Sequence, residues 1–371
     1  MRIVIDRNIR GAERTFARLG DLVEMEGRAI RREHLLDADL LIIRTATKAN
    51  AELLEGTPVR FVGTTSIGTD HLDIPWLGKA GIEWANAPGC NADSAAQYTL
   101  AMIHLACQRL GRRLEDQRAG IIGRGNVGSR LQKLLEALGL QTVANDPPLA
   151  DEGAKGLVSQ AEALACDIVS LHVPLTKDGP YPTYRMIGAE QLARMPQGAL
   201  LVNAARGDVV DGAALLDTVR RGRIQTALDC WPGEPDLDSE LLDRTVVATP
   251  HVAGYSDDGK RNGTRQVYEH YCAWAGIPPA PPAPDSRRLE LSIERPETAL
   301  ETAFAATCFV ERHDAALRAL ATANPDERAR GFDRLRKEYP FRRDFHGWDV
   351  SCADPGCAAQ LAALGFMVHG R

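Results

Sequence analysis

This sequence contains no long uninterrupted apolar run of the kind that spans a membrane, and no signal-like region precedes its first strand-like run, Arg2 to Asp6. An excess of positive charge is missing as well, since the formal net charge is −6. The chain therefore has no general attraction for nucleic acid or anionic membranes, and any phosphate must be bound by a local site. We expect a cytoplasmic protein that binds neither nucleic acid nor membrane.

The cysteines lack the spacing of a metal site. No C-x-x-C pair and no nearby histidine cluster occurs among the eight cysteines, which are Cys90, Cys107, Cys166, Cys230, Cys272, Cys308, Cys352 and Cys357. Neither a structural disulfide framework nor a bound metal is indicated. We expect most of these residues to be small buried apolar groups in a reducing compartment.

The periodicity of the sequence indicates the α/β class. At 371 residues the chain is too long for one hydrophobic core and should form two or three domains. Short apolar runs rich in β-branched residues alternate with helical patterns through residues 1–94 and again through residues 95–255. This alternation predicts two doubly wound parallel sheets. The helical segment at about residues 256–280 should return to the first domain and complete it.

The last part of the chain has a different composition. A proline-rich stretch, Ile277 to Arg288, should be an extended linker. Residues 281–371 then combine the strand-like runs LELSI and GWDVS with helices expected around Ala299 to Val310 and Pro325 to Glu338. We predict a small C-terminal α/β domain. It contains no glycine-rich loop and no clustered acid and base, so an association surface is favoured over a second active site.

A glycine-rich turn follows the apolar run that begins at Ala119. Gly123, Gly125 and Gly128 form G-x-G-x-x-G before a helix, and Asp146 ends the next strand about 20 residues further on. The first glycine permits a tight turn, the second lets backbone amides approach a pyrophosphate, and the third lets helix and strand pack closely. Asp146 would accept hydrogen bonds from ribose hydroxyls and repel a 2′-phosphate. NAD is therefore the expected cofactor rather than NADP.

Three further residues are expected at the same edge of the sheet. Arg206, Glu234 and His251 each stand just past one of three successive apolar runs of strand length. The carboxyl ends of parallel strands lie at the edge where open α/β sheets bind ligands. Hydride transfer from a secondary alcohol needs a base for the hydroxyl proton and a positive group that orients the substrate. His251 suits the base, Glu234 its carboxylate partner, and Arg206 the group that binds a substrate carboxylate.

Each of these three residues also has a simpler interpretation when taken alone. An arginine after a strand commonly forms a surface ion pair, a glutamate beside prolines commonly lies in a solvated turn, and a histidine at a strand end is commonly just hydrogen-bonded. Their order on successive strand ends, downstream of a dinucleotide-binding pattern, favours the catalytic interpretation.

The motifs around these residues are similar to those of a known family. GRGNVG with Asp146, NAARGDVVD, LDCWPGEP and TPHVAG resemble the D-isomer-specific 2-hydroxyacid dehydrogenases over roughly residues 1 to 275. FVGTTSIGTDHLD, NAPGCNAD, PLTKDGPYPTYRMI and the tail stretch FDRLRKEYPFRRDF resemble one branch of it with an extra C-terminal domain. This resemblance implies NAD-dependent oxidation of 4-phospho-D-erythronate to 2-oxo-3-hydroxy-4-phosphobutanoate, a step of pyridoxal 5′-phosphate (vitamin B6) biosynthesis.

The resemblance also implies an architecture and a set of site residues. It implies a flavodoxin-like substrate domain, a Rossmann domain for NAD, and a C-terminal domain that forms a homodimer. Arg206, Glu234 and His251 would be catalytic, and Thr45, Ser66 and Tyr255 would bind substrate. The residues expected to contact NAD are Gly123, Gly125, Asn126, Val127, Gly128, Asp146, Asp229 and Gly254. Two positions depart from the family pattern: Thr45 replaces a common serine, and Val173 stands where a cofactor-contacting threonine can occur.

Two other functions are compatible with the same residues. The chain could oxidise a different 2-hydroxy acid, such as 3-phosphoglycerate, or act on hydroxypyruvate or glyoxylate. It could also be a non-catalytic scaffold that senses a dinucleotide, because transcriptional corepressors of this fold carry the same three residues.

Overall fold

The computed structural model describes residues 1–281 and 288–369, so half of the predicted proline-rich linker, residues 282–287, lies outside the described residues. The strands are β1 Arg2–Asp6, β2 Asp21–Met25, β3 Leu40–Ile43, β4 Phe61–Thr64, β5 Glu83–Ala85, β6 Arg118–Ile122, β7 Gln141–Asn145, β8 Ile168–Leu171, β9 Leu200–Asn203, β10 Gln225–Leu228, β11 Val247–Ala248, β12 Leu289–Ile293, β13 Trp348–Cys352 and β14 Met367–His369.

The α-helices alternate with these strands along the chain. They are α1 Ala12–Phe16, α2 Ala51–Leu54, α3 Ile74–Ala80, α4 Ala92–Arg109, α5 Asn126–Ala137, α6 Pro147–Asp151, α7 Gln160–Leu164, α8 Ala189–Arg194, α9 Gly212–Arg220, α10 Ser239–Arg244, α11 Asp257–Ala275, α12 Ala299–Cys308, α13 Val310–Arg318, α14 Pro325–Lys337 and α15 Pro355–Ala363. Among the helices of the described residues, none has the length and apolar character needed to cross a bilayer.

The chain divides into two compact units. The first contains Met1–Asn91 and the segment that begins at Ser256. Its five strands are all parallel, in the order β2-β1-β3-β4-β5, which is the flavodoxin-like arrangement. Helix α11 packs directly on this sheet, because a side chain at Gly63 of β4 would come within 2.3 Å of Val267 of α11. The segment after Ser256 therefore completes the first sheet's core.

The second unit contains Ala92–Tyr255 and the segment from Arg288 onward. Its main sheet has six parallel strands in the order β11-β10-β9-β8-β6-β7. The winding reverses between β6 and β8, and ligands of open α/β sheets bind at such a reversal, beyond the carboxyl ends of the strands. The predicted α/β class with two doubly wound sheets and a smaller third one is confirmed.

The C-terminal segment packs against the main sheet of the second unit. It forms a three-stranded parallel sheet in the order β12-β13-β14. Phe345 stacks between Phe304 of α12 and Phe366, with ring centroids 5.9 and 4.3 Å apart. These rings belong to the same hydrophobic cluster as Ile121 of β6 and Leu131 of α5. Residues 288–369 and the dinucleotide-binding region therefore share one core.

Strand β2 and helix α13 are among the elements that were not predicted from the sequence. Strand β2 was missed because it is a half-exposed edge strand, and its sequence DLVEM has no continuous apolar run. Helix α13 was missed because the predicted helix around Ala299 to Val310 ends at Cys308, where Phe309 takes a left-handed conformation with φ of 57° and a new helix begins. All eight cysteine side chains are buried, as expected.

Candidate active site

The glycine-rich turn lies just past β6 and has the backbone shape that the motif predicts. Gly123 has φ of +91°, a conformation that other residues rarely adopt. A Cβ atom at Gly128 would lie 1.9 Å from the Gly123 carbonyl oxygen, whereas one at Gly125 would have no neighbour within 4 Å. Gly128 thus allows close packing of helix and strand. Gly125 leaves space in front of the α5 N-terminus, where Asn126 and Val127 begin the helix.

Asp146 follows β7, and both of its carboxylate oxygens accept hydrogen bonds from backbone N–H groups. One carboxylate oxygen accepts the Arg124 N–H at 2.7 Å, and the other accepts the Leu149 N–H at 3.2 Å and so caps α6. Each carboxylate oxygen has a further lone pair available. The carboxylate is therefore oriented by the protein and still able to accept hydrogen bonds from ribose hydroxyls. The glycine turn and this acid together fit a dinucleotide.

Val173 occupies the position where a cofactor-contacting threonine can occur in the family. Its Cγ1 would lie 2.8 Å from a Cβ atom at Gly123. The valine side chain thus packs against the glycine turn, and it offers no hydroxyl to a ligand.

Arg206 follows β9 and is exposed at the carboxyl edge of the sheet. Its backbone carbonyl accepts a hydrogen bond of 2.9 Å from the side chain of Asn203, a buried residue at the end of the strand. Its guanidinium donates to the Ala205 carbonyl at 2.7 Å. The backbone of Arg206 is held in place, and its remaining N–H groups can bind an anion.

Glu234 and His251 form a hydrogen-bonded pair. Glu234 Oε1 contacts His251 Nδ1, and Glu234 Oε2 accepts the Trp231 N–H at 3.0 Å. Each side chain is 23% exposed, so the pair is partly shielded from water but still accessible. With Nδ1 bound to the carboxylate, Nε2 is the nitrogen that can exchange a proton with a ligand.

The surroundings of Glu234 keep its carboxylate ionised. Burial opposes ionisation, but the hydrogen bond and charge of His251, the Trp231 N–H and the guanidinium of Arg336 outweigh it and lower the pKa of Glu234 below its ordinary value. The carboxylate can therefore stabilise a protonated imidazole across the neutral pH range.

A buried acid holds the loop that carries His251. Asp229, which follows β10, accepts hydrogen bonds from the Thr249 hydroxyl at 2.7 Å and from the N–H groups of Val252 and Ala253 at 2.9 and 3.0 Å. His251 itself has φ of 54°, an uncommon conformation for a residue with a side chain. Asp229 thus helps to fix this turn through three hydrogen bonds, and the cofactor contact implied for it stays a prediction.

Trp231 and Asn203 are positioning residues that the sequence interpretation missed. The Trp231 indole is fully buried and donates to the Thr249 carbonyl at 2.9 Å. Asn203 binds both the Arg206 carbonyl and the Ala205 N–H. Trp231 lies in the motif LDCWPGEP and Asn203 in NAARGDVVD, so their presence in the family motifs could have marked them as candidates. Their polar atoms are buried and needed partners, which only the folded chain identifies.

The predicted substrate residues lie in both units. Thr45 is exposed in the turn after β3, and Ser66 follows β4, where its carbonyl accepts the Ala87 N–H at 3.1 Å. Gly254 and Tyr255 end the loop after β11 in the second unit, and the Tyr255 N–H donates to the Val252 carbonyl at 2.8 Å. The roles of these residues stay predictions.

Comparison with known proteins shows the family to which this chain belongs. The family model for the D-isomer specific 2-hydroxyacid dehydrogenase, NAD binding domain, matches residues 94–253, and a model described as a domain of unknown function matches residues 281–365. The erythronate-4-phosphate dehydrogenase of Klebsiella pneumoniae is 42% identical over 99% of this chain and 98% of that protein. The protein of the same name from Marinobacter nauticus is 43% identical over 99% of both. The chain belongs to the D-isomer-specific 2-hydroxyacid dehydrogenases.

The expected cofactor of this 2-hydroxyacid dehydrogenase is confirmed as NAD by the matched NAD-binding family. A crystal structure of D-lactate dehydrogenase from Aquifex aeolicus, in complex with NAD and lactic acid, has a TM-score of 0.57 and 25% identity. The similarity covers 74% of this chain and 96% of that one. This 2-hydroxyacid dehydrogenase thus has about a quarter of its length outside the similarity to the lactate enzyme.

Proposed function

We propose that this chain oxidises the 2-hydroxyl group of 4-phosphoerythronate with NAD. The main support is similarity over 99% of the chain to proteins named erythronate-4-phosphate dehydrogenase, together with the Glu234–His251 pair at the carboxyl edge of the NAD-binding sheet. That similarity covers 99% of this chain, whereas the similarity to the lactate dehydrogenase covers 74% of it. The product would be the 2-oxo acid, as expected for a step towards pyridoxal 5′-phosphate.

The residues of the second unit suit this reaction. His251 Nε2 accepts the proton of the substrate hydroxyl, and the ionised Glu234 stabilises the imidazolium that forms. Arg206 binds the substrate carboxylate with its free N–H groups and stabilises the developing negative charge on the oxygen. When bound, NAD supplies the acceptor for the hydride that leaves the same carbon. The proton and the hydride together account for the two hydrogens lost by the alcohol.

The NAD site proposed here comprises the glycine turn and the acids after β7 and β10. Backbone N–H groups at the start of α5 would bind the pyrophosphate, with Gly125 leaving the space for it. Asp146 would bind the ribose hydroxyls. Asp229 and Gly254 would contact the cofactor near the loop that carries His251, and Thr45, Ser66 and Tyr255 would contact the substrate.

The experiment is a comparison of substrates. NADH formation is followed with 4-phosphoerythronate and with 3-phosphoglycerate under identical conditions. We expect turnover with the first and at most weak turnover with the second. Preference for 3-phosphoglycerate would contradict the substrate assignment, and turnover with neither, nor with hydroxypyruvate in the reverse direction, would favour the dinucleotide-sensing scaffold.

We also infer that the chain works as a cytoplasmic homodimer joined through its C-terminal domain. Strands β12 and β14 are the two edges of the C-terminal sheet, and Met367 on β14 is exposed. Edge strands present peptide groups that can pair with another chain. Sedimentation of the full chain should give about twice the monomer mass of 40.3 kDa. Truncation is a poor test, because Phe304 and Phe345 share a core with the NAD-binding sheet.

A further inference from the structure

The C-terminal segment is hydrogen-bonded to the loop that follows β11. Arg342 is fully buried, and its guanidinium lies over the ring of Tyr98 at 5.2 Å from the centroid. It donates to the carbonyls of Ser94 at 2.5 Å and Ala253 at 3.3 Å. A buried guanidinium is stable only when its N–H groups are well bound. Ala253, two residues after His251, is therefore fixed from the C-terminal side.

Tyr255, at the end of the same loop, is held by two residues of the C-terminal segment. Its ring packs edge-on against Tyr339, with centroids 5.4 Å apart, and Arg336 Nη2 donates to its hydroxyl at 3.5 Å. Tyr339 in turn stacks on His313 of α13, with centroids 5.0 Å apart. The orientation of Tyr255 thus depends on α14 and the residues just after it.

Helix α14 packs against the segment that carries Glu234. Phe332 is fully buried in the hydrophobic cluster that contains Trp231 and Leu237, three residues on either side of Glu234. One turn later, the Arg336 guanidinium lies 5.8 Å from the Phe332 ring centroid. This packing holds the cation of Arg336 in the electrostatic neighbourhood of Glu234, where it is one of the groups that favour the ionised carboxylate.

The guanidinium of Arg336 makes a further contact, a long ion pair from Nη1 to Oδ1 of the exposed Asp333 at 3.8 Å. Its Nε atom is buried and has no hydrogen-bond partner among the described residues. The ion pair with Asp333 is too long for a direct hydrogen bond and lies at the surface, so it contributes little to stability. The shorter polar contact of the guanidinium is with the Tyr255 hydroxyl at 3.5 Å, and its positive charge favours the ionised form of Glu234.

We propose that Arg336 is a positioning residue of the active site, which holds the Tyr255 hydroxyl and supplies a permanent positive charge beside the Glu234–His251 pair. The C-terminal domain is then a component of the active site of its own chain as well as a candidate association surface. This inference rests on the proposed function, in which Tyr255 contacts substrate and the pair transfers the proton. It assigns an active-site task to a segment whose matching family model is described as a domain of unknown function.

The test compares Arg336→Met with Arg336→Lys. Arg336→Met should lower kcat/KM roughly tenfold or more, mainly through a higher KM, because a charge-assisted hydrogen bond is lost. It should also move the acid limb of the kcat/KM profile to higher pH, because Arg336 is one of the groups that lower the pKa of Glu234, and its removal makes that carboxylate easier to protonate. The buried thiol of Cys230 does not interfere, since burial raises its pKa well above the ordinary value. Arg336→Lys keeps the charge and should leave the acid limb unchanged.

Arg334→Met is the matched control. Arg334 lies on the same helix, two residues earlier, and its side chain is exposed. Its loss should leave kcat, KM and the pH profile as in the wild type. In a Tyr255→Phe background, Arg336→Met should cost less in KM than in the wild type, because the hydroxyl is already gone. If Arg336→Met fails to fold, Arg336→Gln carries the same measurement.

The outcomes separate this inference from the proposed function. Absence of wild-type turnover with 4-phosphoerythronate overturns the substrate assignment, and the variants are then measured with whichever acid the wild type oxidises. An acid limb in Arg336→Met identical to that of the wild type overturns the proposal about Arg336. So does an equal shift of the limb in Arg336→Lys.

Discussion

The two halves of the carboxyl edge in the second unit are built differently. At β6 and β7 the candidate cofactor site is shaped by backbone: one glycine in a left-handed conformation, one glycine without room for a side chain, and one acid that caps a short helix. At β9 to β11 the candidate catalytic site is shaped by buried side chains. Asp229 and Trp231 hold the His251 loop there, and Arg342 reaches it from 89 residues further along the chain.

The difference shows how each half fixes the positions of its functional groups. A glycine turn is specified by local backbone geometry, so its tolerance to substitution depends on the space at one position. A loop held by side-chain hydrogen bonds depends on partners from several elements, and removing one leaves others buried and unpaired. Substitutions in the first half should therefore act mainly on NAD binding, and those in the second half mainly on turnover.

The largest expected effect is that of His251→Ala. Loss of the proton acceptor should reduce kcat by about three orders of magnitude, as for general bases in other enzymes. NAD affinity, measured by fluorescence titration, should stay close to that of the wild type, because the glycine turn lies in the other half. Loss of both together would mean that His251 holds the fold, and that the two halves are not separate.

Asp229→Asn should have the next largest effect. The amide cannot accept hydrogen bonds at both ends as the carboxylate does, so at least one loop N–H loses its partner, at a cost of about 1–3 kcal/mol in stability. We expect a lower melting temperature and a fall in kcat of one to two orders of magnitude, roughly what misplacing a catalytic loop costs. A variant with wild-type kcat would show that the His251 loop does not need this carboxylate.

A pair of glycine substitutions sharpens the comparison within the cofactor half. Gly128→Ala places a methyl group against the Gly123 carbonyl and should cost about 1–3 kcal/mol of stability as well as NAD affinity. Gly125→Ala meets no protein atom, so stability should be unchanged while NAD binds roughly tenfold more weakly. Thermal melts with and without NAD distinguish the two. Equal melting temperatures for both apo variants would refute the steric argument.

The smallest effect is expected at Asp146. Asp146→Ala should relax the preference for NAD over NADP, because the negative charge that repels a 2′-phosphate is removed. It should also cost about 1 kcal/mol through loss of the α6 cap. Asp146→Asn can keep the cap without the charge, so a relaxed preference in both variants would identify charge as the cause. An unchanged ratio of kcat/KM values for the two cofactors would count against the ribose contact.

The sequence predicted some parts of the site better than others. The sequence predicted the glycine turn, Asp146 and the order of Arg206, Glu234 and His251. Each of them follows a strand in a parallel sheet, and the topology places the carboxyl ends of all these strands at one edge. The pairing of Glu234 with His251 was proposed and is present. Strand β2, half exposed and without an apolar run, gave no such signal.

The sequence alone determined the α/β class, the dinucleotide-binding turn and the residues that end the catalytic strands, because periodicity and glycine placement are local properties of the chain. Only the tertiary structure decided that the C-terminal segment joins the NAD-binding core and that Arg336 and Arg342 reach the catalytic loop. The two contacts with the His251 loop connect residues 81 and 89 positions apart in the chain, and the bond from Arg342 to Ser94 connects residues 248 positions apart. No local pattern encodes which distant carbonyl or hydroxyl a buried guanidinium will bind.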